Sequence, residues 1–296
     1  MTKLLEENRL KTFVPGLGWT GGSTKSQLMK LLASLARSSA LARSTAVMDG
    51  DPKNQSTRKV FGQRDANGDL IPAEDNDILI GCRMMKSTDA EASSKEVFKV
   101  LEDDQPDLFL MDGAAAAESD FAKMILNNST PEEFVEVLKE LGYQLNLATT
   151  LLPKKNASKR NEALASLQAL YDMYHEIEDV HFTVSLSLWE GDIMDNDSDD
   201  GFRYWFKHPL REQLLATGRY HELKMVLLPA EVMAVTSHYE VPFFQLIDPV
   251  FAKEAGISIR VRMALRKYVD LFRQQVEADP YLRGVFHLDA HEAVEG

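Results

Sequence analysis

The sequence predicts an α/β chain: a doubly wound, mainly parallel sheet with a C-terminal helical extension. Three observations carry this. Short apolar runs alternate along the chain with longer segments whose apolar residues recur at helical spacing, as successive βαβ units require. Two of the runs, Ser44-Thr45-Ala46-Val47-Met48-Asp49 and Leu108-Phe109-Leu110-Met111-Asp112, end in an aspartate, so they put carboxylates at the strand ends where open parallel sheets place their chemistry. A glycine-rich turn from Gly18 to Ser23 joins the first predicted strand to the first helix.

In chain order, strands are expected at 11–16, 43–48, 77–81, 107–111, 144–149, 181–187 and 223–228. Helices are expected at 25–38, 88–102, 117–127, 131–141, 158–175, 208–217, 230–238 and 261–278, with loops at 62–76 and 190–204. In the first helix, Leu28, Leu31, Leu32, Leu35 and Ala36 form one apolar stripe. In the last, Leu265, Tyr268, Val269, Phe272 and Val276 do the same, so it should pack on the sheet. With no internal repeat and no low-complexity linker, the chain reads as one compact unit. Its main domain spans 1–260, and a helix and acidic tail follow over 261–296, the end from Leu288 to Gly296 being frayed.

Composition bounds the function. A chain of 296 residues with 44% hydrophobic and 27% charged content can build a large core. The single Cys82 excludes an intramolecular disulfide framework and a cysteine-based zinc site, which fits a reducing compartment. No signal peptide and no run long enough to cross a bilayer is visible, so a cytoplasmic protein without membrane contact is expected. A net charge of −13 argues against a surface built mainly to cradle nucleic acid. Non-specific DNA binding stays open only through local basic patches: Lys154, Lys155, Lys159 and Arg160 near one helix start, and Arg260, Arg262, Arg266, Lys267 and Arg273 on the last helix. The alternative for both patches is an ordinary solvated helix face.

The turn before the first helix reads as an altered phosphate-binding loop. Gly21, Gly22 and Ser23 are small enough for backbone N–H groups to converge on phosphate oxygens, Lys25 supplies charge from the surface, and Ser26 supplies a hydroxyl for Mg²⁺. Two positions depart from the strict pattern G-x-x-x-x-G-K-[ST]: Trp19 stands at its first glycine and Thr24 at its last. The loop alone is also compatible with a glycine-rich turn that merely caps a helix. Asp49-Gly50-Asp51-Pro52 adds two carboxylates at a strand end, and Asp112 has the form of a Walker B aspartate that reaches Mg²⁺ directly or through water. Each aspartate by itself is compatible with a cap or a turn.

Taken in order, these motifs resemble the ParA/MinD-type partition and positioning ATPases, whose deviant Walker A loop has the form KGGxxK[ST]. Thr20-Gly21-Gly22-Ser23-Thr24-Lys25-Ser26 matches it except at the first lysine, and Asp49-Gly50-Asp51-Pro52-Lys53-Asn54-Gln55-Ser56-Thr57 is similar to the family's switch segment D-x-D-P-Q-G-N-x-T. Leu228-Pro229-Ala230-Glu231-Val232 and Glu240-Val241-Pro242 are similar to its late loop, helix and turn, so the likeness spans roughly residues 11 to 245. Within the family the chain looks closest to the StbB/TraL-like plasmid stability and conjugation branch. The altered loop, Asp112-Gly113-Ala114-Ala115 and the segment from Trp189 to Trp205 point there.

The resemblance implies a SIMIBI-like P-loop NTPase fold, with ATP and Mg²⁺ as ligands, and a homodimer that closes over nucleotide and opens on hydrolysis. It also implies a protein partner from a plasmid partition or transfer apparatus. In residue terms it implies phosphate binding by Gly21, Gly22, Ser23, Thr24, Lys25 and Ser26, with Lys25 also catalytic. Metal binding falls to Ser26, Asp112 and Asp49, though Asp49 is equally suited to orienting the turn, and Asp51 orients or activates the attacking water. The family's first loop lysine neutralises charge across the dimer, and neutral Thr20 stands in its place, so slow hydrolysis or none is expected. Lys53 or Arg58 are candidate substitutes for that charge. A weak ATPase, a nucleotide-binding scaffold that does not hydrolyse, and a small-molecule phosphotransferase or ligase therefore remain open.

Other chemistries fit poorly. The carboxylates at 190–200 fail the EF-hand pattern, since counting from Asp195 puts Asp200 at the glycine position and Phe206 at the bidentate glutamate position. The histidines lack zincin spacing, there is no G-x-S-x-G elbow, and the methionines read as core filler.

Overall fold

The computed structural model describes residues 11–18, 24–39, 44–52, 54–85, 90–114, 129–153, 157–188, 201–226 and 228–288. Strands β1 (Lys11–Gly16), β2 (Thr45–Asp49), β3 (Arg83–Met84), β4 (Leu108–Asp112), β5 (Tyr143–Leu151), β6 (Val180–Ser187) and β7 (Tyr220–Met225) form one seven-stranded sheet in the order β3-β2-β4-β1-β5-β6-β7. Every pairing is parallel. The helices are α1 (Lys25–Ser38), α2 (Ser56–Phe61), α3 (Ala90–Lys99), α4 (Pro131–Glu140), α5 (Ala157–Tyr174), α6 (Arg203–Phe206) and α7 (Pro209–Ala216). After β7 come α8 (Ala230–Tyr239), α9 (Phe243–Leu246), α10 (Pro249–Glu254), α11 (Ile259–Ala278) and α12 (Pro280–Phe286).

Both faces of the sheet are covered, which is why its central strands are buried along their whole length and read as continuous apolar runs. On one face, Phe13, Phe109, Leu145 and Phe182 pack with Val97, Phe134, Leu167 and Trp205 from the intervening helices. On the other, Val14, Val47 and Leu110 meet Leu28, Leu31, Leu32 and Leu35 of α1, and the same core takes in Leu265, Tyr268, Phe272 and Val276 of α11. The apolar stripes read for the first and last helices are the stripes these helices bury. Among the described residues no helix is long and apolar enough to cross a membrane.

Two strands sit elsewhere than the sequence suggested. The run at 77–81 is a turn: Ile80 and Gly81 donate their N–H groups to Asp77 O, Leu79 N donates to Asp77 Oδ1, and Ile80 is 67% exposed. The carbonyls of Ile78, Ile80 and Gly81 accept from the Arg37 guanidinium at the end of α1, and Ile78 O alone also accepts from a strand neighbour, Val47 N of β2 at 3.2 Å. The edge strand comes later, at Arg83–Met84. The last strand begins three residues earlier than 223 and ends at Met225, because its partner β6 ends at Ser187 and no ladder remains beyond it. The short helices α2, α9, α10 and α12 were not expected, and α6 begins at the end of the predicted loop 190–204 and runs past it. The remaining predicted helices match within a few residues, except 117–127, which lies outside the described residues, as do the acidic segment at 190–200 and the tail from 289.

Candidate functional site

The parallel ladder builds the site before any side chain does. β2, β4 and β1 are in register such that Asp49, Asp112 and Gly16 stand in one row at the carboxyl edge of the sheet. Lys25, in the first turn of α1, closes the group: its ammonium donates to the carbonyls of Gly113 and Ala114, the latter at 3.0 Å. Lys25 and Asp112 therefore share one edge of the sheet. Close backbone approach is part of this. Gly50 N donates to Asp112 O at 2.7 Å, and a Cβ on Gly50 would lie 3.0 Å from that oxygen and 3.3 Å from Gly113 Cα.

One expectation needs correcting. Lys25 was read as a surface phosphate ligand, whereas it is only 5% exposed and hydrogen-bonded to buried backbone. The cause is the tight entry into α1, which tucks the lysine stem under the strand ends. Ser26 follows in the same turn, half-buried. Thr24 stands immediately before the helix with φ 62° and ψ 10°, and its hydroxyl donates to Ser187 Oγ at the end of β6 over 2.6 Å. Trp19, Thr20, Gly21, Gly22 and Ser23 lie outside the described residues.

The aspartates divide the work. Asp49 is fully buried and both its oxygens are taken by backbone: Oδ1 accepts from Asp51 N, and Oδ2 from Thr57 N and Arg58 N at the start of α2, each at 2.9 Å. These bonds suit it to orienting the turn, one of the two roles open to it. Asp112 is 1% exposed; its Oδ2 accepts from the Thr57 hydroxyl at 2.7 Å, and its Oδ1 is a buried oxygen with no hydrogen-bond partner among the described residues. The Asp51 carboxylate is half-exposed and accepts from Asn54 N at 3.1 Å and Asn54 Nδ2 at 2.7 Å. Arg58, a candidate for the missing charge, is engaged by Gln55 Oε1 and Ile71 O, and Lys53 lies outside the described residues.

The electrostatics call for a cation. Burial, and then the neighbouring Asp112 carboxylate, push Asp49 up to about 7, and the three N–H donors do not offset these two effects. Lys30, one turn beyond Lys25, faces the same carboxylates; burial lowers its pKa while Asp112 and Asp49 pull it upward. Among the described residues no group of three or more His, Cys, Asp or Glu side chains is placed to hold a metal ion alone. The bare Oδ1 of Asp112 nonetheless suits a hard ion that takes one or two protein oxygens and draws its other ligands from phosphate and water, which is how Mg²⁺ is usually held. Phosphate is suited by the buried Lys25 ammonium and by the amino end of a 14-residue helix.

Three contributors had little or no sequence signal. Thr57 belongs to the quoted switch segment, but its link to Asp112 depends on how α2 docks. Lys30 is marked only as a charge inside an apolar helix. The contact of Ser187 with Thr24 has no local signal, since the sheet brings the two together across 163 residues. Of the basic patches, Arg260 and Arg273 are paired with Glu231 and Glu277, and the Arg160 guanidinium lies 5.0 Å from the Tyr204 ring centre.

No protein-family model matches the chain, and no curated protein matches it in sequence. Among solved structures it is similar to a ParA family ATPase from Chlorobium tepidum TLS, at 12% identity and a TM-score of 0.46 over 88% of this chain and 98% of that one. It is similar also to a plasmid partition protein from Borrelia burgdorferi, at 10% identity and a TM-score of 0.40 over 88% and 99% of the two chains. A third is the pnob8 ParA, at 13% identity and a TM-score of 0.42 over 88% and 99%.

Proposed function

We propose that this chain is a ParA/MinD-like nucleotide-binding switch, a weak ATPase that serves plasmid partition, stability or conjugative transfer. The observation that carries the reading is the meeting, at one sheet edge, of the Lys25 ammonium, the bare Asp112 oxygen and the Asp49-Asp51 turn. Lys25 and the α1 amino end would hold the phosphates, with Gly21, Gly22, Ser23 and Thr24 forming the loop. Ser26 and Asp112 would hold Mg²⁺. Bound ATP and Mg²⁺ supply a phosphoryl group and the charge that makes its transfer feasible. Asp49 sets the turn that presents Asp51, and Asp51 takes the role of aligning water once it exchanges its bond to Asn54. Two copies closing over nucleotide, and a partner protein that resets them, complete the switch. The StbB/TraL-like branch is the form of this proposal suited to a loop lacking its first lysine.

A second reading is favoured by the same loop: with neutral Thr20 and no free arginine at 58, the chain binds ATP as a scaffold and turns it over little. Calorimetric titration with ATP and ADP in Mg²⁺, with phosphate release measured on the same sample, separates the two. We expect micromolar ATP binding and slow release, with Thr20→Lys raising turnover and Asp51→Ala retaining ATP without releasing phosphate. Tight ATP binding with no release in wild type or Thr20→Lys supports the scaffold. No ATP binding at all overturns both.

A further inference from the structure

Thr24 combines three features that do not ordinarily occur together. Among the described non-glycine residues with positive φ, it is the one β-branched residue, and β-branched side chains crowd the backbone most in the left-handed region. It stands at the start of α1, yet its hydroxyl makes no bond to the N–H groups of the helix, which is what a threonine at that place normally does. That hydroxyl is spent instead on Ser187. Ser187 is fully buried, and the strand that holds it is fixed on both sides, by Leu151 and its neighbours in β5 and by Met225 in β7.

We propose that Ser187 is a positioning residue for the phosphate-binding loop: by accepting the Thr24 hydroxyl it holds the last loop residue in a left-handed turn and keeps that hydroxyl off the first-turn N–H groups of α1, leaving them to an anion. This rests on the nucleotide-binding reading. Glycine reaches the left-handed region unaided, and threonine does not. A threonine at this position therefore needs an external anchor, and the end of β6 is where the fold provides one. Without Ser187 the hydroxyl turns back onto the first-turn N–H groups, which satisfies donors that phosphate would otherwise use and relaxes the turn that aims Lys25.

The test is a double-mutant cycle read by calorimetric ATP titration in Mg²⁺, with amide hydrogen exchange of the first turn of α1 as a measure that does not depend on nucleotide. Ser187→Ala is expected to weaken ATP binding about tenfold, the factor that about 1.4 kcal/mol makes in a dissociation constant. Without nucleotide it should slow exchange in the first turn, as the freed hydroxyl caps it. Thr24→Gly, which removes the hydroxyl and the β-branch while keeping the backbone N–H, is the second background, and its own ATP affinity is the reference for the cycle. In the Thr24→Gly background Ser187→Ala should then have no effect on affinity, since glycine needs no anchor. An equal loss from Ser187→Ala in both backgrounds overturns the proposal, because Ser187 would then act other than through Thr24. Unchanged affinity and exchange on Ser187→Ala alone overturns it as well. Failure of every variant, wild type included, to bind ATP instead overturns the nucleotide reading on which the proposal rests.

Discussion

Exchange of Asp112 for asparagine is expected to raise the thermal midpoint of the ligand-free protein by about 2–8 °C at pH 8, while removing the stabilisation that Mg²⁺ with ATP confers on wild type. Two buried carboxylates face each other across the register of β2 and β4, and one of them has an oxygen without a hydrogen-bond partner among the described residues. Their repulsion, softened by Lys30 and by backbone donors, is worth on the order of 1–2 kcal/mol at the effective dielectric of such sites. For a chain of this size each kcal/mol moves the midpoint by about 2–4 °C. Asparagine keeps an acceptor for the Thr57 hydroxyl and discards the charge.

The pH dependence fixes the sign. Asp49 is raised from its ordinary value to about 7, so between roughly pH 4 and 7 the folded protein keeps a proton that the unfolded chain gives up. That contribution to stability is present at low pH and is lost as pH rises through 7. The advantage of Asp112→Asn over wild type should therefore be small at pH 5.5 and grow toward pH 8.5, as differential scanning calorimetry across that range will record. A variant less stable than wild type by the same amount at every pH would mean that Asp112 is an ordinary buried acceptor.

Lys25→Ala is expected to reduce ATP affinity by at least about a hundredfold, loss of a charge-assisted phosphate contact in a buried site. It should also lower stability by about 1–3 kcal/mol, because the carbonyls of Gly113 and Ala114 lose their donor. Lys25→Met, which keeps the buried stem, separates packing from charge: it should recover part of the stability and none of the binding. Titration calorimetry and thermal melts on both variants check this. Unchanged ATP affinity in either would reduce the loop to a helix cap.

What the sequence made legible follows physical locality. Elements whose apolar period was unambiguous, such as α1, α11, β4 and β6, fell where expected, because burial on one stripe or on two faces leaves a pattern in neighbouring residues. The aspartates at strand ends and the lysine after the glycine turn were legible for the same reason. Asp77-Ile78-Leu79-Ile80-Gly81 misled because an apolar run does not reveal that Arg37, forty residues earlier, takes its carbonyls. The contacts of Thr57 with Asp112 and of Thr24 with Ser187 were invisible because they join segments that only the assembled sheet brings together. The burial of Lys25 was missed for a related reason: a lysine in a loop motif reads as exposed until the strands above it are placed.

The outer border of the sheet carries a last consequence. Beyond β7 lies no further strand among the described residues. Gln275 of α11 instead receives Lys224 N on its Oε1 at 2.7 Å and donates its Nε2 to Lys224 O at 3.0 Å, a side-chain amide standing where a neighbouring backbone would be. A helix laid along the border with such a plug denies that edge to a strand from another molecule. At Lys224, at least, the backbone groups of β7 are already taken and offer nothing to a strand from another molecule.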